Sequence, residues 1–479
     1  MAVESHTKRT GWGRIIATLF YREGTNVFSV LRNQDFRNLW TGQMVSFLGD
    51  ALAYNTMTLA IIRMANDADV SSGRLLSALF VLSALPSLFL GLVAGTIVDR
   101  ANRKHIMIGA DLIRSVLALG FLLVGNVDQV WIFIVVSVCL STVSTFFYPA
   151  RTAMLPAILG KDELLAANAL AQLTHTMSFV VGAALAGVMV GIAGATAPAF
   201  IVDSITFLIS AIFIARISVS GAPPQRAAVP APVVRSISWM ADSTRTLRTM
   251  WGELVVGLRY VVTDQVMRGV LISFLALMLG LGAANVTFVP LLINELGMQE
   301  EGLGLIRFSQ TLGIVLGSAL VSTSLAQRHK ARDLIGLSML AFGVTTMIVS
   351  VVTSYALMVA VLFAVGLALS PPQIVASTLM QRHVPSAKLG RASGAQGTIV
   401  NVANIASMGA AGLLMDEIGA REVFMGSGLL IFGAGIVSWL VLRGVEDVPD
   451  DPETDEIPLP AEGTAEGPVP VVNTTEAHP

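Results

Sequence analysis

Six ionisable side chains stand inside stretches that are otherwise apolar: Asp50, Asp111, Arg114, His175, Asp203 and Arg307. Asp50 is the most informative. It lies mid-way through a long apolar run, with Gln43, Ser46, Asn55 and Thr58 nearby. A carboxylate at that depth in a membrane is costly unless it faces a cavity, a partner or a proton. The chemistry open to it is proton binding or sensing of a charged ligand; the plainer reading is a hydrogen-bonding residue between helices. His175, in "QLTHTMS", is either a neutral buried imidazole or a proton relay. Asp111 and Arg114 are three apart and share a helix face, as a structural or gating pair. Asp203 is either a structural residue or a functional acid, with Arg63 as a candidate partner. Arg307 either snorkels to the outer surface or faces a cavity and attracts an anion. Ser137, Ser141, Ser144, Thr145 and Tyr148 form a polar stripe at helical spacing, which fits a wet cavity wall and interhelical packing equally well. Asn285 and Thr287 follow Gly280 and Gly282 and precede Pro290, a pattern of a bending helix.

These residues need helices in lipid to hold them. Of the 479 residues 54% are hydrophobic and 13% charged, against about 25% charged in soluble domains; mean hydropathy is +0.72. Runs of roughly 20 apolar residues, the length a spanning helix needs, recur without the alternation of membrane strands. The expected fold is an all-α membrane protein with twelve spans, at 38–62, 75–97, 106–125, 129–149, 168–192, 197–216, 269–294, 302–325, 334–353, 355–377, 394–415 and 422–442. With the N-terminus inside, 25 of the 30 Lys and Arg residues fall in inside segments and three outside. Both termini are therefore expected in the cytoplasm.

The longest polar stretch divides the spans six and six. The expected organisation is a cytoplasmic segment at 1–35, a six-helix bundle at 36–216, a linker with an amphipathic helix at 217–267, a second bundle at 268–444, and an acidic disordered tail at 445–479. Weak repeats link the halves: Gly91 and Gly95 match Gly313 and Gly317, and Pro149 matches the pair Pro371 and Pro372, which should kink or end the tenth span. Parallel six-helix halves place a site between them near the midplane. The lone cysteine, Cys139, excludes an intrachain disulfide and a cysteine metal cluster.

A dense charge knot follows the second span, in "GTIVDRANRK" (95–104). Gly95 permits close helix approach. Asp99 is placed to cap a helix N-terminus, of the third span or of the other half. Arg100, Arg103 and Lys104 hold the loop inside and could pair with Asp99 or with Asp111, about 7–8 Å beyond Ile106 along the helix. The spacing Gly95-x-x-x-Asp99-Arg100-x-x-Arg103-Lys104 resembles the loop signature of the major facilitator superfamily, with Asn102 where a second glycine is usual. Asn tolerates left-handed backbone better than most residues. "LRNQDFRNLWTGQMVSFLGDAL", "FFYPARTAMLPAILGKDELLAANAL" and "GELVVGLRYV" resemble the drug:proton antiporters that include macrolide exporters. Gly182, Gly187 and Gly191 are similar to the antiporter motif of the fifth helix, with Ala183 in place of its proline.

The resemblance implies a proton-coupled exporter of hydrophobic or amphipathic small molecules in a bacterial plasma membrane, acting as a monomer with no cofactor. It implies that the loop cluster latches the halves; a plain topology anchor is the alternative. The expected partners are substrate, protons and membrane lipids. No phosphate loop, metal motif or nucleophile elbow is present in the sequence, and the basic loops are too scattered for nucleic acid. A lipid or siderophore exporter, or a non-transporting scaffold or sensor, are the alternatives.

Overall fold

The computed structural model describes residues 21–22, 25–160, 163–191, 196–222, 258–259, 261–299, 302–320, 331–384 and 386–443. A two-residue antiparallel ladder joins Tyr21–Arg22 to Thr25–Asn26. The other regular elements among the described residues are helical. The long ones are α1 (Gln34–Asp67), α2 (Ser72–Arg100), α3 (Arg103–Ala118), α4 (Val130–Ile158), α5 (Leu164–Gly191), α6 (Ala197–Ala215), α7 (Gln265–Pro290), α8 (Leu303–Leu320), α9 (Ala331–Val351), α10 (Tyr355–His383), α11 (Ser386–Ile418) and α12 (Ala420–Val441). Eleven are long and apolar enough to cross a membrane; α8 is the shorter, and residues 321–330, directly after it, lie outside the described residues. So do the acidic tail and most of the 217–267 segment.

Helix ends differ from expectation where polarity and backbone demand diverge. The fourth helix does not stop at Pro149. It continues to Ile158 with both Pro149 and Pro156 inside it, because a helix cut short in or near lipid leaves unpaired backbone groups. Likewise α10 runs through Pro371 and Pro372. Pro371 cannot donate to the Leu367 carbonyl, and Gly317 of α8 packs directly on that carbonyl. Asn102 does not take a left-handed conformation. Its backbone is extended (φ −72°, ψ 110°), and its side chain caps α3 by accepting from the His105 N–H.

The packing repeats. In the first half α1 lies on α5 and α6, α4 on α2 and α3, and α3 on α6. In the second half α7 lies on α11 and α12, α10 on α8 and α9, and α9 on α12. Adding six to each helix number converts one set into the other. The halves meet through α2 with α11 and α5 with α8, a pairing that also exchanges under that operation.

These inter-half contacts occupy one end. Gly73 meets Met415 and Gly412 meets Ser77. Asp416 accepts from Ser71 and pairs with Arg74, and Asn66 donates to Asn294 at 2.9 Å. Gly304 packs on Ala184. Toward the other end of the same two helices, Gly91, Gly95, Gly394 and Gly397 each have open space where a Cβ would stand. The close approach expected at Gly95 is therefore absent, and the two sequence repeats differ: Gly313 and Gly317 are pressed against α10.

Candidate functional site

Asp50 faces a cavity of about 290 Å³ in the first half. Phe47, Asp50, Tyr54 and Met57 reach it from α1, spaced to share one helix face. Ser137, Ser144 and Tyr148 come from α4, His175 and Phe179 from α5, and Asp203 from α6. Asp50 itself is half-buried. A neighbouring opening of about 510 Å³ shares Phe47, Tyr148 and His175 and adds Arg151, Asn168 and Gln172. His175 lies edge-on to Phe47 with ring centroids 5.0 Å apart.

Behind Asp50 lies a buried charged pair. Arg114 donates to Asp111, with 3% and 0% of the two side chains exposed. The guanidinium also stacks 4.2 Å from the Phe147 ring centroid and 4.6 Å from that of Phe207, a geometry in which the ring faces favour the cation. Arg114 and Asp111 both act electrostatically on Asp50, and Arg114 and Asp50 act on Asp203. Asp111 therefore turns away from the loop arginines that sequence spacing put within its reach.

Other candidate residues are placed elsewhere. Gln43 is buried beside Trp40, Phe47 and Arg151, its Oε1 without a partner. Asn55 donates to its own helix at the Ala51 carbonyl, 2.7 Å, and Thr145 to the Ser141 carbonyl, 2.8 Å. Ser46 is buried one turn before Asp50. Asn285 and Arg307 line a separate cavity of about 70 Å³ in the second half. Arg307 does not snorkel outward. Its guanidinium lies 4.6 Å from the Phe288 ring of α7 and 5.7 Å from the Phe179 ring of α5, and it donates to Gln310 at 3.4 Å.

In the charge knot, Asp99 and Arg100 are exposed. Among the described residues neither makes a side-chain hydrogen bond or ion pair. Arg103 donates to the Ala153 carbonyl at 3.2 Å, and Lys104 to the Ile217 carbonyl at 2.7 Å. Both cations thus sit near C-terminal helix ends of their own half, where positive charge is favoured.

Asp203 is the residue that sequence reasoning set aside. Gly42 and Gly49, seven apart on α1, give the signal: Gly42 packs on Ser210 and Gly49 on Asp203 and Thr206 of α6.

Two helical halves, packed by one repeated pattern and enclosing polar cavities in lipid-length helices, define a secondary-transporter architecture. The chain belongs to the Major Facilitator Superfamily, whose family model matches residues 39–306 and 270–476. It is 23% identical over 422 residues to the uncharacterized MFS-type transporter YkuC of Bacillus subtilis, covering 86% of this chain and 91% of that one. It is 24% identical over 406 residues to macrolide efflux protein A of Streptococcus pyogenes, covering 84% and 94%. Its fold is similar to that of a bacterial homologue of the human lysosomal transporter Spinster, with TM-score 0.63 and 12% identity over 85% of this chain and 97% of that one.

Proposed function

We propose that this chain exports hydrophobic or amphipathic small molecules from a bacterial cell by proton-coupled alternating access, with Asp50 as the coupling carboxylate. The observation carrying this reading is a half-buried acid on the face of α1 that opens into a cavity shared with His175 and Tyr148. Protonation of Asp50 changes the relative energies of the loaded and empty carrier. The membrane potential adds about 2.3 kcal/mol per charge per 100 mV. The names of relatives, macrolide efflux protein A among them, support the outward direction and the substrate class. With basic loops inside, the contact end of the halves faces outward and the carrier stands open to the cytoplasm. Both termini are then cytoplasmic, the bundles span 36–216 and 268–444, and the transporter works as a monomer.

Transport into inverted vesicles under an imposed pH gradient tests it, with a panel of hydrophobic antibiotics. Asp50→Asn should abolish proton-driven accumulation and retain substrate exchange. Accumulation equal to wild type would remove Asp50 from the mechanism.

A second reading, an anionic lipid or siderophore as cargo, draws on Arg307, which faces inward between Phe288 and Phe179. On that reading Arg307→Gln weakens binding of an anionic detergent or lipid and leaves binding of neutral macrolides unchanged. Equal effects on both would sink it.

A further inference from the structure

We infer that Asp203 is a second coupling and specificity residue. In this reading Asp50 and Asp203 form a two-carboxylate site that holds either one shared proton or the cationic group of a substrate. The inference rests on the reading of Asp50 as the coupling acid and adds the charge class of the cargo.

The geometry is specific. Asp203 is 2% exposed. Its Oδ1 has no hydrogen-bond partner, although a buried ionised carboxylate without a partner carries a heavy desolvation cost. That oxygen lies against α1 at Gly49, the residue before Asp50: a Cβ at Gly49 would stand 2.8 Å from it. Glycine at 49 is what lets the α6 acid reach the same cavity. From the other packed elements the charged and titratable groups around the two acids are Asp111 and Arg114 of α3, Tyr148 and Arg151 of α4, His175 of α5 and, beside Tyr54 and Phe179, Arg307 of α8. Asp111 already occupies Arg114. Among the described residues Arg114, already paired with Asp111, is the guanidinium that acts on both acids, while Arg151 and Arg307 stand beyond the rings that line the cavity; a proton shared between two neighbouring acids would relieve their mutual repulsion.

An organic cation supplies the missing positive charge as the proton leaves, so the exchange balances: one proton leaves the pair for water as one cation enters. Phe47, Tyr54, Phe121 and Phe179 line the same space. They offer ring faces for a cation and apolar area for the body of an amphipathic substrate.

The test uses the full-length protein in detergent with ethidium as the cation probe. Wild type should bind ethidium, release about one proton per cation into weakly buffered solution, and lose the infrared carbonyl band of a protonated carboxyl group. Asp203→Asn should bind about tenfold or more weakly, the loss of one charge-assisted contact, and release no proton. Binding and release by Asp203→Asn equal to wild type would overturn the inference. So would a wild-type protein that binds no ethidium, or binds it without loss of the carboxyl band; this last measurement decides the matter even where the variant does not fold. If Asp50→Asn fails in vesicles while Asp203→Asn behaves as wild type in both assays, only the role of Asp203 falls. If Asp50→Asn accumulates substrate normally, the coupling reading falls first.

Discussion

Arg114→Leu is expected to deprive the protein of a stable fold, and adding Asp111→Leu to the same chain is expected to restore it. The pair is almost wholly excluded from solvent, and the guanidinium is sandwiched by Phe147 and Phe207. Removing one partner leaves the other charge buried with no compensation, at about 3–5 kcal/mol. A domain holds about 5–15 kcal/mol in all, so the single change takes roughly a fifth of it at the least and nearly all of it at the most. The double change removes both desolvation costs and leaves apolar side chains among Phe147, Phe207 and their neighbours. Buried pairs replaced this way are often neutral or stabilising. The fraction of protein that stays monodisperse after graded heating measures both steps. A single variant as heat-resistant as wild type would show that the pair carries no stability. A double variant that folds but no longer transports would show that the pair also serves the cycle.

The pair illustrates what sequence reading could and could not deliver. Spacing put Asp111 and Arg114 on one face, and the structure pairs them. Spacing does not fix which way that face turns, so it leaves the loop cations equally available to Asp111. Arg103 and Lys104 are instead engaged with the Ala153 and Ile217 carbonyls, and Arg100 is exposed. Span positions were legible because hydropathy follows lipid exposure. Helix ends were not: polar residues such as Arg151 and Thr152 lower hydropathy, yet the backbone stays helical to Ile158. The cap at Asn102 was legible in principle, since Asn before a helix start is a common capping signal, and a glycine at that position would lack the capping side chain. Asp203 was hidden for another reason. Asp203, Thr206 and Ser210 fall at helical spacing on α6, but such a stripe fits interhelical packing as well as a cavity wall, and Thr206 and Ser210 do pack on the glycines of the facing α1.

Gly412→Trp should drive the carrier out of the state described here, and Gly95→Trp should hold it there. At position 412 even a Cβ meets the Ser77 side chain, so an indole forces α11 from α2 and strains the neighbouring Ser71, Arg74 and Asp416 clamp. Overpacking of this kind costs about 1–3 kcal/mol, charged only to the state in which these surfaces touch. That corresponds to a population shift of about five- to 150-fold. At position 95 nothing stands within reach of a Cβ, so tryptophan fits without a clash. Its bulk instead obstructs closure of that end, where Gly91, Gly394 and Gly397 leave matching space. A single reporter reads both variants: Ser77→Cys in a Cys139→Ala background, labelled with a membrane-impermeant maleimide from the face opposite the termini. Ser77 is buried in the α2–α11 contact. Labelling should accelerate with Gly412→Trp, stay slow with Gly95→Trp, and transport should fail in both, because each variant stops the halves at one end of their travel. Unchanged labelling by Gly412→Trp, or faster labelling by Gly95→Trp, would mean that the α2–α11 contact does not separate during transport.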